Sequence, residues 1–356
     1  MPVRAKKKQD ISQVLLELSR KNQCPISAMA DLTWRCNFQC KHCYQVKKAR
    51  EELDCREWEK IFDKLQDAGV LMLTFSGGEP LIKRDFFDIA LSARRKNFLL
   101  KLKTNGYLVD ENIVSFLKDT AFEQVHLSFY SSEPEIHDFV TGVKGSHERV
   151  VEAVKLLRSS GIGVRLSIPV MKLNAKQIPQ MMRFASKWGC ECVVDPSLTV
   201  CEDGSCSPLR LRASFGDIVE VFRNRKILPK TKTRRGVRLK EDMIGERVCN
   251  VGLSSFLITP TGKVRPCVMI PVEIGDLKTQ NLKEILRKSE FFSMLKSIRW
   301  CDLNECAVCS IRPWCQRCHG NALIEDGDLL GPSRIACLVA KARKAVLEER
   351  NSGGRF

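Results

Sequence analysis

The sequence predicts an α/β chain: a partial (β/α)6 TIM-like barrel followed by a small cysteine-rich domain. Three observations carry that expectation. From about Ala28 to Ser197, short apolar runs alternate with amphipathic stretches. Gly69, Gly106 and Gly161 punctuate the units as helix ends or turns. From Arg247 onward cysteines dominate and periodicity fades, as expected of a domain held by metal instead of a large core.

The elements follow in order. MPVRAKKKQD is basic, and ISQVLLELSR breaks its apolar residues with Glu17 and Arg20. It reads as a short amphipathic helix, not a signal peptide. Strands are expected at 28–34, 70–75, 99–103, 124–129, 164–170 and 192–195, all rich in Val, Leu, Ile and Phe. Helical patterns lie between them at 55–68, 85–96, 111–118, 147–159 and 175–188. In such folds the chemistry sits at the C-terminal strand ends. From Leu198 to about Gly245 the pattern is lost; this stretch holds Cys201 and Cys206, and from Val221 to Lys240 it carries nine Lys or Arg and no acid. It reads as a linker or insertion, and a last helix is expected at 336–349. The expected organisation is an extension over 1–25, a barrel core over 26–198, a basic linker over 199–245 and a cysteine-rich domain over 246–356.

A chain of 356 residues with 44% hydrophobic side chains can bury a sizeable core. No apolar run is long enough to span a bilayer, so the expected location is cytoplasmic. Seventeen cysteines are unusual there, because disulfides are rare in a reducing compartment, and metal binding is the first explanation. The net charge of +17 suggests an acidic partner, or else a solvated basic surface.

Cys36, Cys40 and Cys43 form C-x3-C-x2-C directly after the first expected strand. Three thiolates this close on a loop can hold three irons of a [4Fe–4S] cluster and leave the fourth open. A structural zinc site wants four ligands, so the triad fits zinc poorly. At the next strand end stands Ser76-Gly77-Gly78-Glu79-Pro80. Glycines there let backbone approach a ligand closely, and a carboxylate beside them can accept hydrogen bonds from an ammonium group.

DLTWRCNFQCKHCY followed by FSGGEP resembles the radical S-adenosylmethionine (SAM) superfamily. The resemblance implies that Cys36, Cys40 and Cys43 bind the cluster, whose open iron chelates SAM. Gly77, Gly78 and Glu79 would hold the methionyl ammonium, and His42 would pack near the adenine. Ser128 resembles the family's ribose-contacting serine, and Asn105 lies at another strand end facing the same cavity. Many relatives carry an arginine shortly after a His-Asp pair; here Phe139, Val140 and Thr141 follow His137-Asp138.

Cys249 is followed by twelve residues, Gly262, four residues and Cys267, then by Cys306-x2-Cys309-x5-Cys315-x2-Cys318 and Cys337. This spacing resembles the SPASM domain, a cluster-binding module on radical SAM enzymes that mature peptides. The resemblance implies one auxiliary [4Fe–4S] cluster on Cys306, Cys309, Cys315 and Cys337, and a second on Cys249, Cys267 and Cys318. Zinc sites are the competing reading of these cysteines. Cys24, Cys55, Cys190, Cys192, Cys201, Cys206 and Cys301 are expected to be core residues or bystanders, with Cys201 and Cys206 worth testing.

The implied substrate is a ribosomally made peptide, acidic or leader-bearing. About 30 residues precede the first strand, too few for a leader-binding winged helix, so recognition would fall to the basic surface or a separate protein. An electron donor such as flavodoxin or ferredoxin is implied. Tetrapyrrole side-chain processing is the alternative, and maturation of a protein active site, as in anaerobic sulfatase maturases, a third. Val268 stands where those maturases often carry Asp. A metal-stapled nucleic-acid binder would explain the charge but not the GGEP loop. No catalytic acid or base is legible.

Overall fold

In a computed structural model, described for residues 11–22, 24–46, 51–229 and 244–352, the chain folds around one nine-stranded sheet. The strands are β1 (Ser27–Asp31), β2 (Met72–Ser76), β3 (Leu99–Thr104), β4 (Phe122–Ser128), β5 (Gly163–Pro169), β6 (Glu191–Asp195), β7 (Ser255–Ile258), β8 (Lys263–Arg265) and β9 (Gly275–Asp276). Their order is β6-β5-β4-β3-β2-β1-β7-β8-β9. β1 to β6 run parallel, so each connection must cross over, and helices make most crossings. The sheet curls without closing, as the expected partial barrel does.

The helices are α1 (Ile11–Asn22), α2 (Cys55–Asp67), α3 (Phe86–Arg95), α4 (Glu111–Asp119), α5 (Pro134–Thr141), α6 (Ser146–Ser159), α7 (Ile178–Lys187), α8 (Phe215–Arg223), α9 (Leu282–Lys288), α10 (Glu290–Ser297), α11 (Asn304–Ala307), α12 (His319–Asp326) and α13 (Arg334–Asn351). Local chemistry sets their ends. Asp54 and Glu57 make a reciprocal capping box on α2, whose Trp58, Ile61, Phe62 and Leu65 then fall on one buried face. β3 shows the strand logic: Leu100 and Leu102 enter the main core, whereas Lys103 lines the inner cavity.

Three features add to the sequence reading. α5 is not among the expected helices, although Pro134 at its first turn and the left-handed Gly142 after it (φ 73°) are helix signals. The expected linker is folded over its first part: Ser214 and Asp217 cap α8, which buries Ile218, Val221 and Phe222 in the same core as Val339 and Val346 of α13. Residues 230–243, most of the basic run, lie outside the described residues. The sheet continues across the boundary expected near 245. β7 pairs in parallel with β1, in register Ser27↔Ser255, so the cysteine-rich region begins by extending the barrel.

That region carries its own small core of Val251, Ile270, Leu295, Ile298, Trp300, Leu303 and Cys306. A bidentate ion pair fastens it to the barrel side: Arg212 Nη1 lies 2.7 Å from Glu325 Oε1, and Nη2 lies 2.5 Å from Oε2. No described helix is long and apolar enough to cross a membrane.

Candidate active site

The C-terminal ends of β1, β2, β3 and β4 surround a cavity of about 520 Å³. Cys36, Cys40 and Cys43 line it from the loop after β1. That loop is braced on both sides. Gln39 N–H and Lys41 N–H donate to Thr141 O and Val140 O at the end of α5. Thr33 Oγ1 and Trp34 N–H donate to Glu52 at 2.7 and 2.9 Å. Burial, with Cys43 and Cys36 close by, pushes the Cys40 thiol up to about 12.

Gly77 and Gly78 carry the cavity wall from β2, and their need for glycine is visible. A Cβ on Gly77 would meet Thr33 O at 2.4 Å, and one on Gly78 would meet Arg35 O at 2.2 Å. The close approach is therefore to the cysteine loop's own backbone. Gly78 N–H and Glu79 N–H donate to Thr33 O and Arg35 O at 2.8 and 2.9 Å.

Glu79, expected beside the two glycines, is fully buried and is not among the residues that line the cavity. Its carboxylate accepts from Thr104 Oγ1 at 2.8 Å, Asn105 N–H at 2.7 Å and Leu81 N–H at 3.1 Å. A carboxylate held by three donors from β3 and its own loop locks the ends of β2 and β3 together. Burial pushes it up to about 7 against those donors.

His42, Asn105 and Ser128 do line the cavity. His42 Nδ1 is buried with no partner among the described residues, and burial holds the ring down at about 4, so it is neutral. Its ring meets Tyr130 edge-on at 4.6 Å. Asn105 Nδ2 donates to Asn37 Oδ1, inside the cysteine loop, at 2.7 Å. His137 and Asp138 sit on α5, with the His137 ring 5.2 Å from that of the cavity-lining Tyr130. Asp138 accepts from Gly145 N–H, Ser146 Oγ and His147 N–H, and so shapes the start of α6.

The sequence reading missed Tyr130, Lys103 and Asp31. Tyr130 Oη lies 4.0 Å from Cys40 Sγ. Lys103 faces the cavity from β3, with Met29 Sδ 3.9 Å from its Nζ. Asp31 ends β1, with Oδ1 unpartnered among the described residues; burial pushes it up to about 7 against the pull of Lys103. A charged residue inside an apolar run was the available signal for Lys103.

The other cysteines separate into groups. Cys267 lies in electrostatic contact with Cys318 and Cys249. Cys315 is in contact with Cys337, Cys306 and Cys309, and Cys337 with Cys306 and Cys309. Burial pushes both Cys267 and Cys315 up to about 12. Cys201 is not a distant bystander: its thiol donates to Cys43 O at 3.3 Å, and Glu202 N–H donates to Tyr44 O at 2.8 Å.

Comparison with known proteins agrees with this geometry. Residues 32–185 match the model of the radical SAM superfamily, and residues 249–319 match that of the SPASM iron–sulfur cluster-binding domain. The chain is 28% identical over 302 residues to a PqqA peptide cyclase of Gluconobacter oxydans, covering 78% of this chain and 80% of that protein. It is 25% identical over 324 residues to an AdoMet-dependent heme synthase of Methanosarcina barkeri, covering 84% and 93%. Its fold is similar to that of Streptococcus suis SuiB bound to the precursor peptide SuiA, with a TM-score of 0.69 at 14% identity, over 94% of this chain and 83% of that one. With the cysteine loop, the glycine wall and the grouped C-terminal cysteines on one frame, the chain is a member of the radical SAM superfamily that carries a SPASM iron–sulfur domain.

Proposed function

We propose that this radical SAM enzyme modifies a ribosomally made peptide in the cytoplasm, with one SAM-binding and two auxiliary [4Fe–4S] clusters. Cys36, Cys40 and Cys43 would hold the first cluster, Cys306, Cys309, Cys315 and Cys337 the second, and Cys249, Cys267 and Cys318 the third. The observation that carries the reading is the convergence of three loop thiols, a glycine wall and an unpartnered buried imidazole nitrogen on one cavity. That donor set and that space suit a thiolate-bound cluster with a nucleoside beside it. When bound, cluster and SAM supply one-electron chemistry, in which reductive cleavage of SAM yields a 5′-deoxyadenosyl radical that takes a hydrogen atom from the substrate.

The protein's part is position and exclusion of water. Gly77 and Gly78 would offer backbone to the methionyl group, while Glu79 acts from behind by locking that wall to Thr104 and Asn105. His42, being neutral and apolar-faced, would pack near the adenine, and Ser128 would meet the ribose. Asn105 would hold the cysteine loop through Asn37.

The peptide substrate is supported by the PqqA peptide cyclase relatives, which span most of this chain. The SuiB fold, seen with its precursor peptide, is compatible with it. A tetrapyrrole keeps support from the heme synthase relative. The test begins with anaerobic iron loading. The wild type should bind about twelve irons and form 5′-deoxyadenosine with reductant. Replacing Cys36, Cys40 and Cys43 together by Ala should abolish that product and leave about eight irons. Product from the triple variant would overturn the assignment. A mass change on an acidic leader-bearing peptide favours the peptide reading, and turnover of a propionate-bearing tetrapyrrole in its place overturns it.

A further inference from the structure

Lys103 brings a positive charge to the cavity wall without an oxygen to receive it. It belongs to β3, and its side chain lines the same space as the cysteine loop, Gly77, Gly78 and Ser128. Strand register fixes its neighbours. Lys103 pairs with His126 of β4, and His126 with Arg165 of β5, so these three side chains leave the same face of the sheet. The alternation of β3 puts Lys101 on that face as well. Lys101, Lys103 and Arg165 are all the Lys and Arg that β3, β4 and β5 contain. Two of them are paired: Lys101 Nζ lies 3.0 Å from Glu123 Oε2, and Arg165 Nη2 lies 2.6 Å from Glu191 Oε2. Lys103 Nζ instead meets the thioether of Met29, with Sδ at 3.9 Å. Among the described residues no oxygen stands within hydrogen-bond or ion-pair distance of it.

A desolvated ammonium without oxygen partners is costly, and a thioether is a weak acceptor. Asp31 is the acid whose charge reaches Lys103, yet it forms no ion pair with it, and Asp31 Oδ1 has no partner among the described residues. The fold thus holds a cation open to an anion from outside the chain. Depth in the barrel says which molecule brings that anion. Gly77, Gly78 and Asn105 lie beyond the ends of β2 and β3, on the loops that would hold SAM. Lys103 lies within β3, and its partner His126 stands two residues before Ser128 on β4. Two strand residues span about 7 Å. Met29, whose sulfur the ammonium meets, is likewise two residues inside the end of β1. The ammonium therefore stands deeper than the place proposed for the nucleoside.

We infer that Lys103 is a specificity residue: its ammonium receives a carboxylate of the substrate, an Asp or Glu side chain of the peptide, and so selects which part of the peptide lies beneath the SAM site. This rests on the peptide reading of the cavity. The physical basis is a difference of partners. Without substrate the ammonium has a thioether. With an acidic side chain it gains a charge-assisted hydrogen bond in a part-buried place, where charges attract more strongly than in bulk water. An Asn or Gln side chain there supplies an oxygen but no charge, so the acid is preferred over its own amide. Arginine keeps the charge, but its planar fork asks for different room and different angles.

The experiment uses the full chain, anaerobically loaded with iron and sulfide, and the leader-bearing peptide that the wild type turns over. Each Asp or Glu in the modified part of that peptide is changed in turn to Asn or Gln. At one position the wild type should favour the acid over the amide by about tenfold in kcat/KM, the size of one charge-assisted hydrogen bond. Lys103→Gln should raise the KM for the acid peptide and reduce that preference to within about twofold. Lys103→Arg should keep part of the preference, which a role in packing alone would not produce. Lys103→Met keeps the length of the stem and removes the desolvated charge; it should hold full iron and lose the preference as Gln does, and it decides the matter if the Gln variant fails to fold. An acid-to-amide preference equal in the wild type and the uncharged variant would overturn the inference. So would a wild type indifferent to every acid-to-amide change. Weaker SAM binding by Lys103→Gln with the peptide preference intact would give the ammonium to the carboxylate of SAM and overturn the substrate assignment. Failure of the peptide reading looks different: the wild type turns over no peptide and consumes a propionate-bearing tetrapyrrole in its place, which removes the peptide carboxylate from Lys103 as well.

Discussion

Asn105 Nδ2 lies 2.7 Å from Asn37 Oδ1, so the end of β3 grips the cysteine loop between Cys36 and Cys40. The same Asn105 donates its N–H to Glu79 at 2.7 Å and accepts from Tyr107 N–H at 3.0 Å. One residue, through its side chain and its backbone N–H, thus couples three segments of the cavity wall. A loop that carries metal-binding thiols must hold them in one arrangement before metal arrives, or the ordering cost is taken from binding. Changing Asn105 to Ala should lower stability by about 1–2 kcal/mol, since Asn37 loses a part-buried partner. It should also weaken retention of the loop's iron relative to the auxiliary iron. Iron release under a chelator checks this; unchanged loss kinetics would argue against the grip.

Gly78 leads to a sharper expectation. A Cβ there would sit 2.2 Å from Arg35 O, and backbone cannot move aside as a flexible side chain does. Gly78→Ala should cost about 3 kcal/mol or displace the cysteine loop. Denaturant melts and 5′-deoxyadenosine formation should fall together. A stable, fully active variant would mean that the loop yields easily.

Breaking the Arg212–Glu325 pair should destabilise the chain. Side-chain exposure is 3% for Glu325, so Arg212→Ala leaves a buried carboxylate unpaired at about 3 kcal/mol. The double change Arg212→Met with Glu325→Leu should recover most of that loss. Additive losses in the double variant would contradict this view of the pair.

Asp31 sets a pH dependence whose sign is fixed by burial. Its folded value, about 7, lies above the ordinary 3.8. Between about pH 4 and 7 the folded chain keeps a proton that the unfolded chain has released. Stability therefore falls as pH rises through that window. The groups facing Asp31 are Lys103, Glu202, Arg265 and Ser76, and the net effect remains upward. Asp31→Asn should reduce the slope, leaving the share that Glu79 contributes in the same window, and gain about 2–4 kcal/mol at pH 8 relative to pH 4. Denaturant titrations at both pH values, on both proteins, read it directly; parallel curves would count against it.

Replacing Cys306 by Ser tests the auxiliary sites. Cys306 is buried in the small core and contacts Cys309 and Cys315. About four irons should be lost, together with cooperative unfolding of that region, because metal binding there is also folding free energy. Full iron with an unchanged melt would remove Cys306 from the ligand set.

The sequence by itself determined the local chemistry. The strand pattern, the glycine stops, the C-x3-C-x2-C loop and the spacing of the C-terminal cysteines are all legible along the chain without a partner segment. Six barrel strands could be read because a half-polar inner face keeps a period of two even in a parallel sheet, as Lys101 and Lys103 do in alternation with Leu100 and Leu102. What only the tertiary structure decided are the relations between distant segments. β7 joining β1 places the cysteine-rich region against the barrel, which spacing in one segment cannot reveal. α8 was hidden because its few apolar residues become a core face only against α13, more than a hundred residues later. Glu79 turning inward to Thr104 follows from which buried groups find partners. A buried polar atom is stable only where the fold supplies its hydrogen bonds, and those partners are neighbours in space before they are neighbours in sequence.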